Sequence, residues 1–194
     1  MRILSITLLA VLATPCLAQE LEPSYIALNR LKRIEYGSYR PQAIAIASAD
    51  REVHRVSISV FLATELRDGT DGHAPVWVLR REVTNDSGAE VSWTDDRSCP
   101  QIFVALDALQ LVAFPNLRLQ GFPEPVRRPG TNTLPPVIPP MHSDEHLIWG
   151  YGRTEDNRRV EVALTSRGGG AAAWSESAAS SLAPCWRSEE PALS

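Results

Sequence analysis

The stretch VHRVSISVFLATEL, Val53–Leu66, decides the fold class of this 194-residue chain. Apolar side chains recur at every second position from Val56 to Leu62, and the polar residues Arg55, Ser57 and Ser59 alternate with them. Because successive side chains of a β-strand point to opposite faces, the alternation predicts a strand with one face on the core and one in water. The predicted wet face carries Arg55, Ser57 and Ser59.

Similar patterns predict five further strands on either side of this stretch. They are Gln42–Ser48, Val76–Thr84, Ala89–Thr94, His146–Gly152 and Arg158–Ser166. Residues Asn85–Gly88 predict a tight hairpin, because asparagine, aspartate and glycine tolerate left-handed backbone angles. The short loops between neighbouring strands favour antiparallel pairing.

Three segments have helical spacing. A short helix is expected over Glu22–Ile34, a second begins after Ser98 and runs to about Ala113, and a third covers Ala171 to about Ala183. The second is apolar almost all round, so we expect it to be covered on more than one side. The sequence therefore predicts an α+β fold, in which an antiparallel sheet of about five to six strands is covered by a central helix and a C-terminal helix.

The first eighteen residues, 1–18, have the layout of a secretory signal peptide. Arg2 supplies a positive start, Ile3–Ala13 is an apolar run, and cleavage is expected near Ala18. That run is too short to span a bilayer, and no later stretch of such length lacks charges, so we do not expect an integral membrane protein. The expected location is periplasmic or secreted.

The rest of the chain is expected to form one globular domain, residues 19–186, followed by a frayed tail over residues 187–194. Of the three cysteines, Cys16 leaves with the signal. Cys99 and Cys185 remain, and an even pair in an oxidising compartment predicts one disulfide. That bridge would connect the start of the central helix to the end of the C-terminal helix.

A proline-rich loop, residues 121–145, is too long to be an ordinary connection in a compact domain, and such loops are often functional. Its LPPVIPP segment favours polyproline II, which can dock onto a partner or pack on its own sheet. The candidate interaction residues are Leu134, Pro135, Pro136, Val137, Ile138, Pro139 and Pro140.

The sequence MHSDEH contains the one cluster with metal-ligand chemistry. Imidazole and carboxylate groups of His142, Asp144 and His146 suit zinc, but a third histidine is not nearby in the sequence. We therefore expect no cofactor and assign no metal site, and we keep these three residues as candidates for a metal-assisted hydrolase.

The net charge and the absence of catalytic motifs limit the classes of function that the sequence supports. A charged fraction of 22% and a net charge of −4 argue against a nucleic-acid partner. No serine lies in a nucleophile elbow, and two oxidised cysteines offer no thiolate. The sequence favours a non-catalytic binding or interaction module, with a cell-envelope protein or ligand as its partner. The alternatives are the hydrolase and an inhibitor of a secreted enzyme.

Overall fold

A computed structural model describes residues 23–49, 54–66, 73–113, 118–119, 144–153 and 156–192. In these ranges the chain forms helices, strands and a short 3-10 turn. In chain order they are α1 (Ser24–Leu31), β1 (Ala43–Ser48), β2 (Arg55–Leu66), β3 (His73–Asn85), β4 (Gly88–Asp95), α2 (Gln101–Ala113), β5 (Arg118–Leu119), β6 (Glu145–Arg153), β7 (Arg159–Ser166), α3 (Gly169–Leu182) and the 3-10 turn Ala183–Cys185.

The strands form one antiparallel sheet. A meander gives the order β4-β3-β2-β1, and β6 pairs with the second edge of β1. β7 pairs along β6, and the short β5 pairs with the end of β6, where Arg118 lies opposite Arg153. The β3–β4 turn is the predicted hairpin, with Gly88 at a φ of 131° and the Asn85 side chain accepting the Ser87 N–H. The predicted antiparallel sheet is confirmed.

One face of the sheet packs against α2 and α3. Ile58, Trp77 and Leu79 from the sheet share a buried cluster with Ile102 and Leu106 of α2 and with the predicted α3 stripe. That stripe consists of Trp174, Ala178 and Leu182. The Cys99–Cys185 disulfide joins the segment before α2 to the 3-10 turn that follows α3, with 5.7 Å between the Cα atoms. The predicted helical cover and the bridge are both confirmed.

The opposite face of β2 is also covered, so the prediction of a solvent-exposed face on this strand was wrong. Arg55, Ser57 and Ser59 are at most 3% exposed. Helix α1 packs its leucines against Ile44 and Ile46 of β1. Beside α1, an aromatic cluster of Tyr36, Phe61 and Trp93 covers the part of this face that β2, β3 and β4 form. Polar side chains are tolerated here because several of them find partners inside the protein.

The buried carboxylate of Glu82 is the clearest example. It accepts hydrogen bonds from Arg30 of α1, one of them at 3.2 Å, and from Arg80 on its own strand at 2.8 Å. Burial acts to raise the pKa of Glu82, but the bonds from Arg30 and Arg80 outweigh it and hold that pKa below its ordinary value of 4.5. Two guanidinium groups thus allow a charge to lie between α1 and the sheet.

Helix α2 packs against both the sheet and α3, while Phe103 and Val104 on its remaining side are 45% and 69% exposed. One further expectation changes. The tail that we expected to be frayed is bonded over part of its length. Arg187 exchanges two main-chain hydrogen bonds with Trp93, and the Tyr36 hydroxyl donates to the Pro191 carbonyl at 2.7 Å. Among the described helices, none is long and apolar enough to cross a membrane.

The disulfide should contribute strongly to stability because it closes a loop of 86 positions. On the chain-entropy model, reducing it should lower the free energy of unfolding by about 4 kcal/mol. Urea unfolding with and without a thiol reductant measures this difference. A Cys99→Ser/Cys185→Ser double variant should show the lower stability in both conditions. Equal stability of the oxidised and reduced protein would contradict a stabilising bridge.

Replacing Glu82 should leave two arginines without their shared carboxylate. We expect Glu82→Gln to lower the free energy of unfolding by about 2 kcal/mol at pH 7, less than for a fully buried pair because Arg30 is 42% exposed. The matched control, Glu35→Gln, removes an exposed partner of Arg40 and should cost less than about 0.5 kcal/mol. Urea unfolding of the three proteins makes the comparison.

The same carboxylate predicts a pH dependence. Because its pKa is lowered in the folded state, its contribution is complete above 4.5 and is lost as the pH falls through the lowered value. The stability of the wild type should therefore fall more steeply below pH 4.5 than that of Glu82→Gln. Parallel curves for the two proteins would contradict this assignment.

Candidate functional site

A cavity lies on the helix-covered face because of the pattern of β1. Its isoleucines, Ile44 and Ile46, point toward α1 and are buried there. The alternating positions, Ala43, Ala45 and Ala47, point to the other face, toward α3. Alanine fills much less space than valine or isoleucine, so a trough remains above β1 between its two neighbouring strands.

The cavity has a volume of about 310 Å³. The register of the sheet places Val83, Val56, Ala47 and His146 opposite one another on β3, β2, β1 and β6, and this row forms part of the floor. Trp174 and Ala179 of α3 and the side chain of Trp186 form the wall. The lining is mostly apolar, with polar groups at both ends, which is the composition of small-molecule sites.

The end of the cavity at β6 carries His146. Its Nδ1 lies 3.3 Å from the hydroxyl of Ser175, and that hydroxyl is 3.0 Å from the carbonyl oxygen of Ala171. When the serine donates to the Ala171 carbonyl, it accepts from the imidazole in the tautomer that carries its proton on Nδ1. In this arrangement the Ser175 proton is directed away from the imidazole, unlike the proton of a nucleophile that is bonded to its base.

Burial lowers the pKa of His146 from 6.5, and the carboxylates of Asp144 and Glu176 act in the opposite direction. Burial prevails, so the imidazole is neutral at pH 7. Asp144 and Glu176 are exposed and line the same end of the cavity. This end therefore carries negative charge beside a neutral ring.

The end of the cavity at β3 carries Arg81. Its Nε donates to the Ser92 hydroxyl at 3.0 Å, and its Cζ lies 5.0 Å from the centre of the Trp186 ring. A cation over an aromatic face is attracted by the ring, so both contacts restrict the plane of the guanidinium. The indole Nε1 of Trp186 is buried and has no hydrogen-bond partner among the described residues.

Only part of the sequence-predicted site can be located. Asp144 and His146 are brought to one cavity, whereas His142 and the interaction residues Leu134–Pro140 lie outside the described residues, as does the signal segment. Within the described ranges, no group of three or more histidine, cysteine, aspartate or glutamate side chains could hold a metal ion. Trp186 is half-buried in the cavity wall.

Sequence reasoning missed Arg81 and Ser175, which come from distant parts of the chain. The signal that could have revealed the cavity is the AIAIASA run from Ala43 to Ala49, where small side chains occupy one face of a strand. Comparison with known proteins adds no functional information, because no family model, curated protein or solved structure matches this chain.

Proposed function

We propose that this protein is an exported, non-catalytic binding module that holds a small, mainly apolar ligand in the cavity between the sheet and α3. The observation that carries the proposal is the cavity of about 310 Å³, which lies within the size range of small-molecule sites. The large aromatic surfaces of Trp174 and Trp186 favour apolar contact with such a ligand.

The chemistry of the polar groups supports binding over catalysis. The Ser175 proton is donated to the helix backbone, and the His146 ring is held by that same hydroxyl. A general acid–base pair needs a proton that can move toward a reacting atom, and this bond arrangement directs it into the helix instead. The polar groups are better suited to orienting a ligand.

Filling the trough should abolish binding. Ala47→Leu adds three carbon atoms to the cavity floor, so we expect it to weaken binding of the neutral apolar dye N-phenyl-1-naphthylamine by about tenfold or more. Fluorescence titration measures this affinity. The control is Ala163→Leu, at an exposed position of β7 outside the cavity, which should bind like the wild type. Failure of the wild type to bind the dye, or equal binding by Ala47→Leu, would reject the proposal.

Two features of the chain support export, and export can be tested separately from ligand binding. The signal-like sequence and the disulfide are both typical of proteins made for an oxidising compartment. The full chain, expressed in a bacterium, should be recovered outside the cytoplasm with a mass that begins at Gln19. Leu8→Arg, which interrupts the apolar run, should keep the uncleaved chain inside. Recovery of uncleaved wild-type protein in the cytoplasm would contradict export.

A further inference from the structure

We propose that the ligand of the cavity is a single-chain aliphatic carboxylate, with its head group on Arg81 and its chain over the alanines of β1. This inference rests on the proposed function, because it names the class of small molecule that the cavity would hold. It follows from three features: the state of the Arg81 guanidinium, the distribution of charge along the cavity, and the shape of the floor.

Two contacts orient the Arg81 guanidinium, but no carboxylate in the described part of the chain neutralises its charge. Ser92 accepts its Nε–H, and Trp186 lies against the group. Neither contact supplies a negative charge, and the bond to Ser92 occupies Nε and leaves the two Nη groups for a ligand. The fork of a guanidinium matches the two oxygens of a carboxylate, so a fixed group of this kind is suited to an anionic head.

The charges at the β6 end of the cavity determine which way round the ligand lies. Asp144 and Glu176 line the cavity beside His146, whose ring is neutral at pH 7. An anion placed there would face two carboxylates, whereas the same anion at Arg81 meets a positive charge. The head group therefore belongs at β3 and the uncharged chain extends toward β6.

The floor accounts for an unbranched chain. Arg81 on β3 lies opposite Ile58 on β2, and Ile58 lies opposite Ala45 on β1. The surface between the ligand's head group and the alanines is therefore apolar. The strands β3 and β6 are three strand spacings apart, or about 14 Å. Beyond Ile58 the chain reaches the space that Ala45 and Ala47 leave above β1, and a slender methylene chain fits there more readily than a branched one.

The test uses displacement of N-phenyl-1-naphthylamine by three probes that share one chain: decanoate, methyl decanoate and decyltrimethylammonium, all below their micelle concentrations. We expect decanoate to bind about tenfold more tightly than its uncharged ester, because it adds charge-assisted hydrogen bonds to Arg81. The cationic probe should bind most weakly. The comparison between the acid and its ester needs no variant and so does not depend on whether a variant folds.

Arg81→Gln should remove the preference for decanoate over its ester and leave the affinity for the ester nearly unchanged. The matched control is Arg159→Gln, because Arg159 also lies over an aromatic ring, 3.7 Å from the centre of Tyr151, but outside the cavity. That variant should keep the preference, which excludes a general effect of net charge.

The outcomes separate this inference from the proposed function. Equal displacement by the acid and its ester, or a preference for the cation, would overturn the carboxylate assignment while leaving a small-molecule binder. A preference for decanoate that survives Arg81→Gln would also overturn it. If none of the probes displaces the dye, the aliphatic ligand is rejected. Dye binding that is insensitive to Ala47→Leu would instead reject the proposed function itself.

Discussion

The alternation of small and large side chains on β1 is the constraint on which the rest of the structure depends. This strand pairs on both edges, with β2 and with β6, and layers of helix cover both of its faces. Isoleucines fill one side completely, so α1 can pack closely there. Alanines on the other side leave a space that α2 and α3 do not close, and the candidate functional groups that the structure describes lie around that space.

The sequence was sufficient for the order and type of the three helices and of every strand except the two-residue β5, but not for the environment of the polar faces. Arg55, Ser57 and Ser59 alternate with apolar residues as they would on a solvated strand. The same pattern fits a buried face whose polar groups form hydrogen bonds with a helix packed on it. Only the position of α1 distinguishes the buried face from a solvated one. Its Arg30 reaches Glu82 from 52 positions away, and this pairing has no local sequence signal.

The sequence likewise predicted only part of the candidate site. Asp144 and His146 attracted notice because they are close in sequence and carry ligand chemistry, and both do line the cavity. Arg81 lies next to Arg80 in the sequence, and no motif around it indicates a binding role. Its significance comes from register, which places it across two strands from Ala45, and from the disulfide, which brings Trp186 next to it. Long-range pairing of this kind cannot be deduced from spacing along the chain.

The contact between Arg187 and Trp93 also bears on how this sheet ends. β4 is the last strand of the meander, and an edge strand offers main-chain groups to any passing chain of extended conformation. Two mutual hydrogen bonds with Arg187 occupy those groups at Trp93, the sixth residue of the eight-residue strand. The segment that follows the disulfide therefore covers this part of the edge, where a further strand would have to displace Arg187 before it could pair with Trp93.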